Sequence, residues 1–268
     1  MCGIAGYSLG DESAVDQTLA TQTLLAAISE RGSDAVGYAH RGPGMPVAVH
    51  KQRGGASALI DTLTAPAGAR QALVHVRDYT KGHPSLMANN HPIRHGAVVG
   101  VHNGIIVNDE EIIARHGFAR AEPGMTVDSE AIFALAEESR SLPEALEELH
   151  GSLAAAWIDE REPDLAYLAR GIGRPLWIGE GRDELFFAST QRALELFESY
   201  TGVRLRLREV GEGTLHALAG GEVVGTASFE PDRSFVEETT LPPVRAPEES
   251  RFCLARLAVI ASAAPAAP

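Results

Sequence analysis

The apolar residues of this chain follow two different spacings in turn. Short apolar runs bounded by turn-forming residues predict strands over 3–9, 35–40, 46–51, 71–76, 97–102, 152–158, 165–169, 175–179, 184–188 and 213–218. Apolar residues three or four positions apart predict helices over 15–28, 57–63, 108–115, 128–138, 142–149 and 190–198. Strands cluster towards both ends of the sequence, with helices between and among them. This distribution favours layered α/β packing over a strictly alternating parallel sheet.

Two stretches lack this regular pattern. Residues 77–95 are rich in polar and turn-forming residues and predict a long loop, which in a compact domain is more often functional than idle. From residue 241 onward the composition shifts to proline and then to alanine with proline. We therefore predict one folded domain over 1–240 and a C-terminal arm over 241–268, with its last part, 262–268, disordered.

Composition and charge exclude several classes of protein. The 268 residues include 23 Lys and Arg against 36 Asp and Glu, a formal charge of −13, which argues against nucleic acid as a partner. No apolar run reaches about 18 residues, and no signal peptide is recognisable, so we expect no membrane partner and a cytoplasmic location. Two cysteines are too few for a disulfide scaffold, and the histidines lack the spacing of metal ligands. We expect neither a metal nor a cofactor.

Cys2 is the first candidate for chemistry. An ordinary cysteine near a chain end is a small apolar residue. If Met1 is removed, however, the thiol and a free α-amine belong to one residue. The α-amine has an unperturbed pKa of about 7.7–8.0 and the thiol one of about 8.5, so the amine is suited to accept the thiol proton. Cys2 is therefore a candidate nucleophile that carries its own base.

Four further positions could complete such a site, and each also has a purely structural interpretation. Asn103-Gly104 is a strong turn signal, or else provides a side-chain amide and a backbone N–H for an oxyanion. Arg77 is a surface arginine, or binds a carboxylate through two hydrogen bonds. Asp128 caps the helix that follows it, or binds an ammonium group. An arginine and an aspartate that bind one ligand would select an α-amino acid.

These residues belong to six short stretches that together resemble the class II glutamine amidotransferases, whose glutaminase domain has an N-terminal nucleophile. The resemblance covers roughly residues 2–225. The matching stretches follow in the family's order: Cys2-Gly3-Ile4-Ala5-Gly6, Arg31-Gly32-Ser33-Asp34, Arg77-Asp78-Tyr79-Thr80-Lys81-Gly82, Asn89-Asn90-His91-Pro92, His102-Asn103-Gly104-Ile105-Ile106 and Asp128-Ser129-Glu130. Some stretches are similar to glucosamine-6-phosphate synthase and others to amidophosphoribosyltransferase, and the sequence does not decide between these branches.

The resemblance implies an α+β fold, a four-layer αββα sandwich of the N-terminal-nucleophile hydrolase type. It also implies a role for each matching residue. Cys2 would be the nucleophile, and Asn103 with Gly104 would form the oxyanion hole. Arg77 would bind the α-carboxylate of glutamine and Asp128 its α-ammonium. Thr80 and His91 would line the same pocket, with His91 otherwise read as a packed or exposed histidine.

The same resemblance leaves the substrate and the partner open. Asp78 stands where the family commonly has an aromatic residue, and Lys81 where one branch often has a histidine. These changes put the shape of the loop in doubt, and a second carboxylate beside Arg77 could weaken its hold on a substrate. The leading hypothesis is a stand-alone glutaminase that passes ammonia to a separate synthase, since about forty residues after 225 cannot form an acceptor domain. The alternatives are a hydrolase of another γ-glutamyl amide and a glutamine-sensing subunit with weak turnover.

Overall fold

The computed structural model describes residues 2–237 and 242–263 and contains two antiparallel β-sheets flanked by helices. The strands are β1 (Gly3–Leu9), β2 (Ala35–Arg41), β3 (Ala48–Arg53), β4 (Gln71–Arg77), β5 (Ile93–His95), β6 (Val98–Ile106), β7 (Gly151–Asp159), β8 (Ala166–Arg170), β9 (Trp177–Glu180), β10 (Glu184–Ala188), β11 (Arg206–Glu209), β12 (Thr214–Ala219) and β13 (Glu222–Ser228). The helices are α1 (Gln17–Ile28), α2 (Asp109–His116), α3 (Ser129–Ser139), α4 (Gln191–Thr201) and α5 (Pro247–Ala263).

The two sheets pack face to face, and helices cover their outer faces. The first sheet has the strand order β11-β9-β10-β1-β4-β2-β3 and the second β13-β12-β8-β7-β6-β5. An inner core lies between the sheets, with residues such as Leu73 from β4 and Val101 from β6. A second core joins the first sheet to α1, α4 and α5, and a third joins the second sheet to α3. The resulting four layers confirm the αββα sandwich.

Successive side chains of β1 point to opposite faces of the first sheet. Ala5, Tyr7 and Leu9 point into the helix-side core, whereas Ile4 points into the core between the sheets. This period of two is the ordinary geometry of a strand. Because β1 lies between β10 and β4 in the middle of its sheet, every one of its residues is buried. Cys2, directly before this strand, is thus attached to one of the most constrained elements of the fold.

Most of the predicted elements are present, with characteristic exceptions. The predicted helix over 57–63 is wrong, since a single 3-10 turn at Ala56–Ala58 replaces it, and residues 142–149 form a 3-10 helix at Pro143–Glu148. The predicted loop over 77–95 contains the short strand β5 at its end. Strands β11 and β13 were not predicted. Both have exposed positions along them, so their apolar signal is weak.

The C-terminal part of the chain contains a helix that the sequence pattern did not predict. In α5, Cys253 and Leu257 are fully buried in the helix-side core beside α1, although most of the other residues are partly or fully exposed. The predicted boundary at 240 falls among residues 238–241, which lie outside the described residues. Residues 264–268 of the predicted disordered end also lie outside them, whereas residues 262 and 263 belong to α5, so the prediction of disorder is wrong there. None of the described helices is long and apolar enough to cross a lipid bilayer.

Candidate active site

Cys2 is held from two sides by residues distant in sequence. Its thiol donates a hydrogen bond to the backbone carbonyl of Asp78, with 3.6 Å between sulfur and oxygen. Its own carbonyl accepts a hydrogen bond of 2.8 Å from Nε of Arg31. Burial raises the pKa of the Cys2 thiol, so the sulfur is protonated at neutral pH and requires a base before it can attack.

The Arg31–Asp34 stretch explains how the loop after β4 comes close to the cysteine. A Cβ atom on Gly32 would lie 2.4 Å from the backbone carbonyl of Arg77, so only glycine allows this approach. Asp34 donates its backbone N–H to the Arg77 carbonyl, 2.9 Å away, and its carboxylate accepts the N–H of Tyr79, also at 2.9 Å. These contacts fix the start of the loop.

One narrow cleft brings together six of the seven predicted site residues. Its cavity measures about 10 Å³, which is room for about one water molecule. The lining contains Cys2, Gly104, Arg77, Thr80, His91 and Asp128, and also Tyr79, Lys81, His102, Val127 and Ser129. The seventh residue, Asn103, precedes Gly104 on β6 and is fully buried.

Arg77 is buried, with 2% of its surface exposed, so its interpretation as a surface arginine is wrong. One terminal nitrogen of its guanidinium donates to Oδ1 of Asn90 at 2.6 Å. The other donates to the backbone carbonyls of Lys81 and Gly82 at 2.8 and 2.5 Å. Five N–H donors in a planar group leave further donors for a ligand carboxylate. The guanidinium thus holds the following loop close to itself through these hydrogen bonds, and it also lines the cleft.

Asn103 and Gly104 lie within a strand, so their interpretation as a hairpin turn is wrong. They pair with Ala154 and Leu153 of β7. Both polar atoms of the Asn103 side chain are buried and have no hydrogen-bond partner among the residues that the structure describes. Such a group needs an explanation, because an unsatisfied buried amide is costly. At Gly104, φ is +151°, and a Cβ atom would lie 1.9 Å from the Ser152 carbonyl, so no other residue fits.

Asp128 stands at the N-cap of α3, but its carboxylate does not cap that helix within the described chain. Instead, Oδ2 accepts the backbone N–H of Ile106 at 2.8 Å. Burial, and to a smaller extent the nearby charge of Asp109, raise the pKa of Asp128 to about 6. Asp109 is itself paired with Nζ of Lys81 at 2.6 Å. Lys81 therefore offsets a charge that would otherwise act on Asp128.

Three buried histidines lie at the cleft: His91 and His102 line it, and His75 contacts both of them. The rings of His75 and His91 stack with their centroids 4.2 Å apart, and Nε2 of His75 lies 3.2 Å from the carbonyl of His102. Neither ring nitrogen of His91 has a hydrogen-bond partner in the described ranges 2–237 and 242–263. Burial lowers the pKa of each of these histidines far enough for the three rings to be neutral at pH 7.

Sequence reasoning missed the residues that hold the site rather than line it. Asn90, which orients Arg77, and the backbone carbonyl of Asp78, which accepts the Cys2 thiol, were not singled out. Asn90 was visible as part of the quoted Asn89-Asn90-His91-Pro92 stretch. A backbone carbonyl carries no signal in the side-chain pattern, so only the folded chain reveals it.

The chain is similar to known proteins over most of its length. A family model described as a glutamine amidotransferase domain matches residues 75–196. The chain is 31% identical over 260 residues to a glutamine–fructose-6-phosphate aminotransferase (isomerizing) of Listeria innocua, with 90% of this chain and 41% of that protein covered. It is 34% identical over 208 residues to the protein of the same name from Thermococcus kodakarensis, with 70% of this chain and 32% of that protein covered.

The fold is also that of a solved structure, glutamine phosphoribosylpyrophosphate amidotransferase of B. subtilis in complex with ADP and GMP. The TM-score is 0.65 at 19% identity, with 85% of this chain and 49% of that chain covered. The chain spans about two fifths of the length of the first curated relatives that it matches, 41% of the Listeria innocua protein. The family match and the relatives, together with the sandwich fold, show that this chain contains a glutamine amidotransferase domain of the class II type.

Proposed function

We propose that this protein hydrolyses the side-chain amide of glutamine through a γ-glutamyl thioester on Cys2. The observation that carries the proposal is the meeting in one cleft of a buried thiol, a guanidinium and a carboxylate, from Cys2, Arg77 and Asp128. The two opposite charges match the α-carboxylate and α-ammonium of an amino acid. The thiol lies in the same cleft and would face the far end of that substrate's side chain.

The chemistry follows from the state of each group. After removal of Met1, the neutral α-amine of Cys2 takes the thiol proton, because the raised pKa keeps the sulfur protonated. The sulfur attacks the amide carbon, and the new oxyanion receives hydrogen bonds from the Asn103 amide and the Gly104 N–H. The ammonium of Cys2 then gives its proton to the leaving nitrogen, and ammonia departs. Water, deprotonated by the same amine, cleaves the thioester to release glutamate.

Entry of the substrate requires the loop after Arg77 to move. A cavity of about 10 Å³ cannot hold glutamine, so the conformation seen here is closed. Thr80 lies exposed at the mouth, and Tyr79 is 43% exposed. Movement of residues 78–82 would have to break the 2.9 Å hydrogen bond from Tyr79 to Asp34 and the Lys81–Asp109 ion pair. The carbonyls of Lys81 and Gly82 would also have to leave Arg77, and the Asp78 carbonyl would have to leave the Cys2 thiol.

We propose that the ammonia acceptor belongs to a separate protein. What supports this is the exposure of three apolar side chains in the loop between Arg77 and β5, where Tyr79, Leu86 and Met87 are 43%, 37% and 40% exposed. Another protein that covers this loop would bury them. The glutamine-sensing alternative gains no support, because the carboxylate of Asp78 and the amine of Lys81 are engaged by Arg245 and Asp109.

The direct test is ammonia release from a panel of γ-glutamyl amides. Glutamine should be hydrolysed, whereas glutaramate, which lacks the α-ammonium, and γ-aminobutyramide derivatives, which lack the α-carboxylate, should be poor substrates. Loss of either charge removes a charge-assisted interaction, and we expect kcat/KM to fall about 10²-fold or more. Efficient turnover of another γ-glutamyl amide with none of glutamine would instead establish the alternative hydrolase.

The pH dependence of KM provides a separate test of Asp128. Its pKa is raised to about 6, so the carboxylate takes up a proton as pH falls through that value and can no longer bind an ammonium. A group with this pKa is about nine-tenths ionised at pH 7 and about nine-tenths protonated at pH 5, so we expect KM for glutamine to rise about tenfold between them.

Lys81→Met should shift the loss of kcat/KM at acidic pH, the acidic limb of the pH profile, towards higher pH. The substitution leaves the charge of Asp109 unpaired by Lys81, and that charge raises the pKa of Asp128. Lys81→Arg keeps the positive charge and is the matched control. The measurement is kcat/KM for glutamine between pH 5 and 8 in the three proteins. An acidic limb at the same pH in all three would show that Asp128 does not set it.

A further inference from the structure

The chain directly before α5 lies against the support of Cys2. The backbone N–H groups of Arg245 and Ala246 both donate to the carbonyl of Glu30, at 2.7 and 2.8 Å. Glu30 is followed by Arg31, whose Nε holds the carbonyl of Cys2 at 2.8 Å. The backbone at Arg245 and Ala246 is therefore bound to the residue directly before Arg31, and Arg31 itself contacts Cys2.

The side chain of Arg245 reaches the other support of Cys2. Its Nε donates to Oδ2 of Asp78 at 2.9 Å, and the side chains are 36% and 19% exposed. Asp78 has two connections to the site, because it follows Arg77 and its carbonyl accepts the Cys2 thiol. The sequence left open that the Asp78 carboxylate competes for Arg77. In the structure this carboxylate pairs with Arg245 instead.

Helix α5 fixes the position from which Arg245 acts. The carboxylate of Glu249 accepts both the backbone N–H and the hydroxyl of Ser57, each at 2.8 Å. Cys253 and Leu257 are fully buried in the core beside α1. Because the backbone is anchored at Arg245 and after it, Arg245 loses less freedom on pairing than a side chain of a mobile tail would.

We propose that Arg245 is a positioning residue for glutamine hydrolysis. Through Asp78 it holds residues 78–82 in the closed conformation, with the Asp78 carbonyl on the Cys2 thiol and the carbonyls of Lys81 and Gly82 on Arg77. It does not contact the substrate. This inference rests on the proposed function and extends it, since it makes residues 242–263 part of the machinery that closes the cleft.

The test compares two arginines of the same C-terminal segment. Arg245→Gln removes the pair with Asp78, whereas Arg256→Gln removes a pair with Asp61 of 2.8 Å and similar exposure, 42% and 45%, whose partner lies outside the cleft lining. We expect Arg245→Gln to raise KM for glutamine about threefold with kcat nearly unchanged, and Arg256→Gln to alter neither. Arg245→Lys, which keeps the charge, should restore most of the affinity.

A thermodynamic cycle identifies Asp78 as the route of the effect. Asp78→Asn should raise KM as much as Arg245→Gln does, and the double variant should be no worse than either single one, because each removes the same interaction. Effects that add in full would place Arg245 outside this pair and overturn the proposal. A fall in kcat with KM unchanged would do the same.

Amide hydrogen exchange provides a readout that does not depend on turnover. Residues 78–82 should exchange faster in Arg245→Gln than in the wild type and in Arg256→Gln, while β1 exchanges alike in all three. Equal exchange of 78–82 in all three proteins overturns the positioning role, even if the wild type hydrolyses glutamine. Absence of hydrolysis by the wild type overturns the proposed function, while faster exchange would still support the hold of Arg245 on the loop.

Discussion

Cys2→Ala is expected to abolish glutamine hydrolysis, with a loss of kcat of at least about 10⁴-fold. No other described residue in the lining of the cleft has a thiol or combines a nucleophile with its own α-amine. Cys2 precedes β1 and belongs to none of the three apolar cores, so the melting temperature should change little. The measurements are ammonia release and thermal unfolding of the purified variant.

The second cysteine of the chain is the matched control. Cys253 is fully buried in α5 beside α1, and burial raises the pKa of its thiol to about 12, so it is inert. Cys253→Ala should lower the free energy of unfolding by about 1 kcal/mol and leave kcat unchanged. Turnover that survives in Cys2→Ala and disappears in Cys253→Ala would reverse the assignment of the nucleophile.

Asn103→Ala is expected to lower kcat about 10²–10³-fold, the usual effect of removing one oxyanion donor. The structure distinguishes this role from a structural one, because the Asn103 amide has no partner among the described residues. A side chain that stabilised the fold would lower the free energy of unfolding on removal. For Asn103→Ala we expect little loss of stability, since an unpaired buried amide costs about 1–3 kcal/mol in the folded state.

Asn108 provides the opposite case on the same part of the chain. Its amide donates to the carbonyl of Glu148 and accepts the N–H of His150, at 2.8 and 2.9 Å, and it does not line the cleft. Asn108→Ala should lower the free energy of unfolding by about 1–2 kcal/mol and leave kcat unchanged. If Asn103→Ala behaves like Asn108→Ala, the buried amide is structural and the oxyanion hole lies elsewhere.

The sequence predicted the strands of the inner core well because their side chains face one environment. Residues 3–9, 71–76 and 97–102 are apolar runs buried on both faces, and these strands lie where they were expected. Residues 57–63 are apolar at helical spacing but form turns, because Gln22 of α1 donates to the carbonyls of Ile60 and Leu63 and thereby holds a non-helical backbone. Tertiary contacts override local spacing there.

The sequence predicted those site residues that belong to recognisable short motifs. Single motifs such as Asn103-Gly104 favoured the wrong structural interpretation, and only their order beside Cys2 indicated the chemistry. What could not be predicted were contacts between distant segments. Arg245 meets Asp78 across 167 positions, and the Cys2 thiol meets the Asp78 carbonyl across 76. Neither contact leaves a periodic pattern, since the fold alone brings these residues together.

The most direct test of the central claim is the intact mass of the protein after reaction with an electrophilic analogue of glutamine, such as its diazoketone. The account predicts a chain that lacks Met1 and gains one adduct, located on Cys2 by fragmentation, with glutamine protecting it. An active protein that retains Met1, or an adduct on Cys253 in place of Cys2, would contradict a nucleophile activated by its own α-amine.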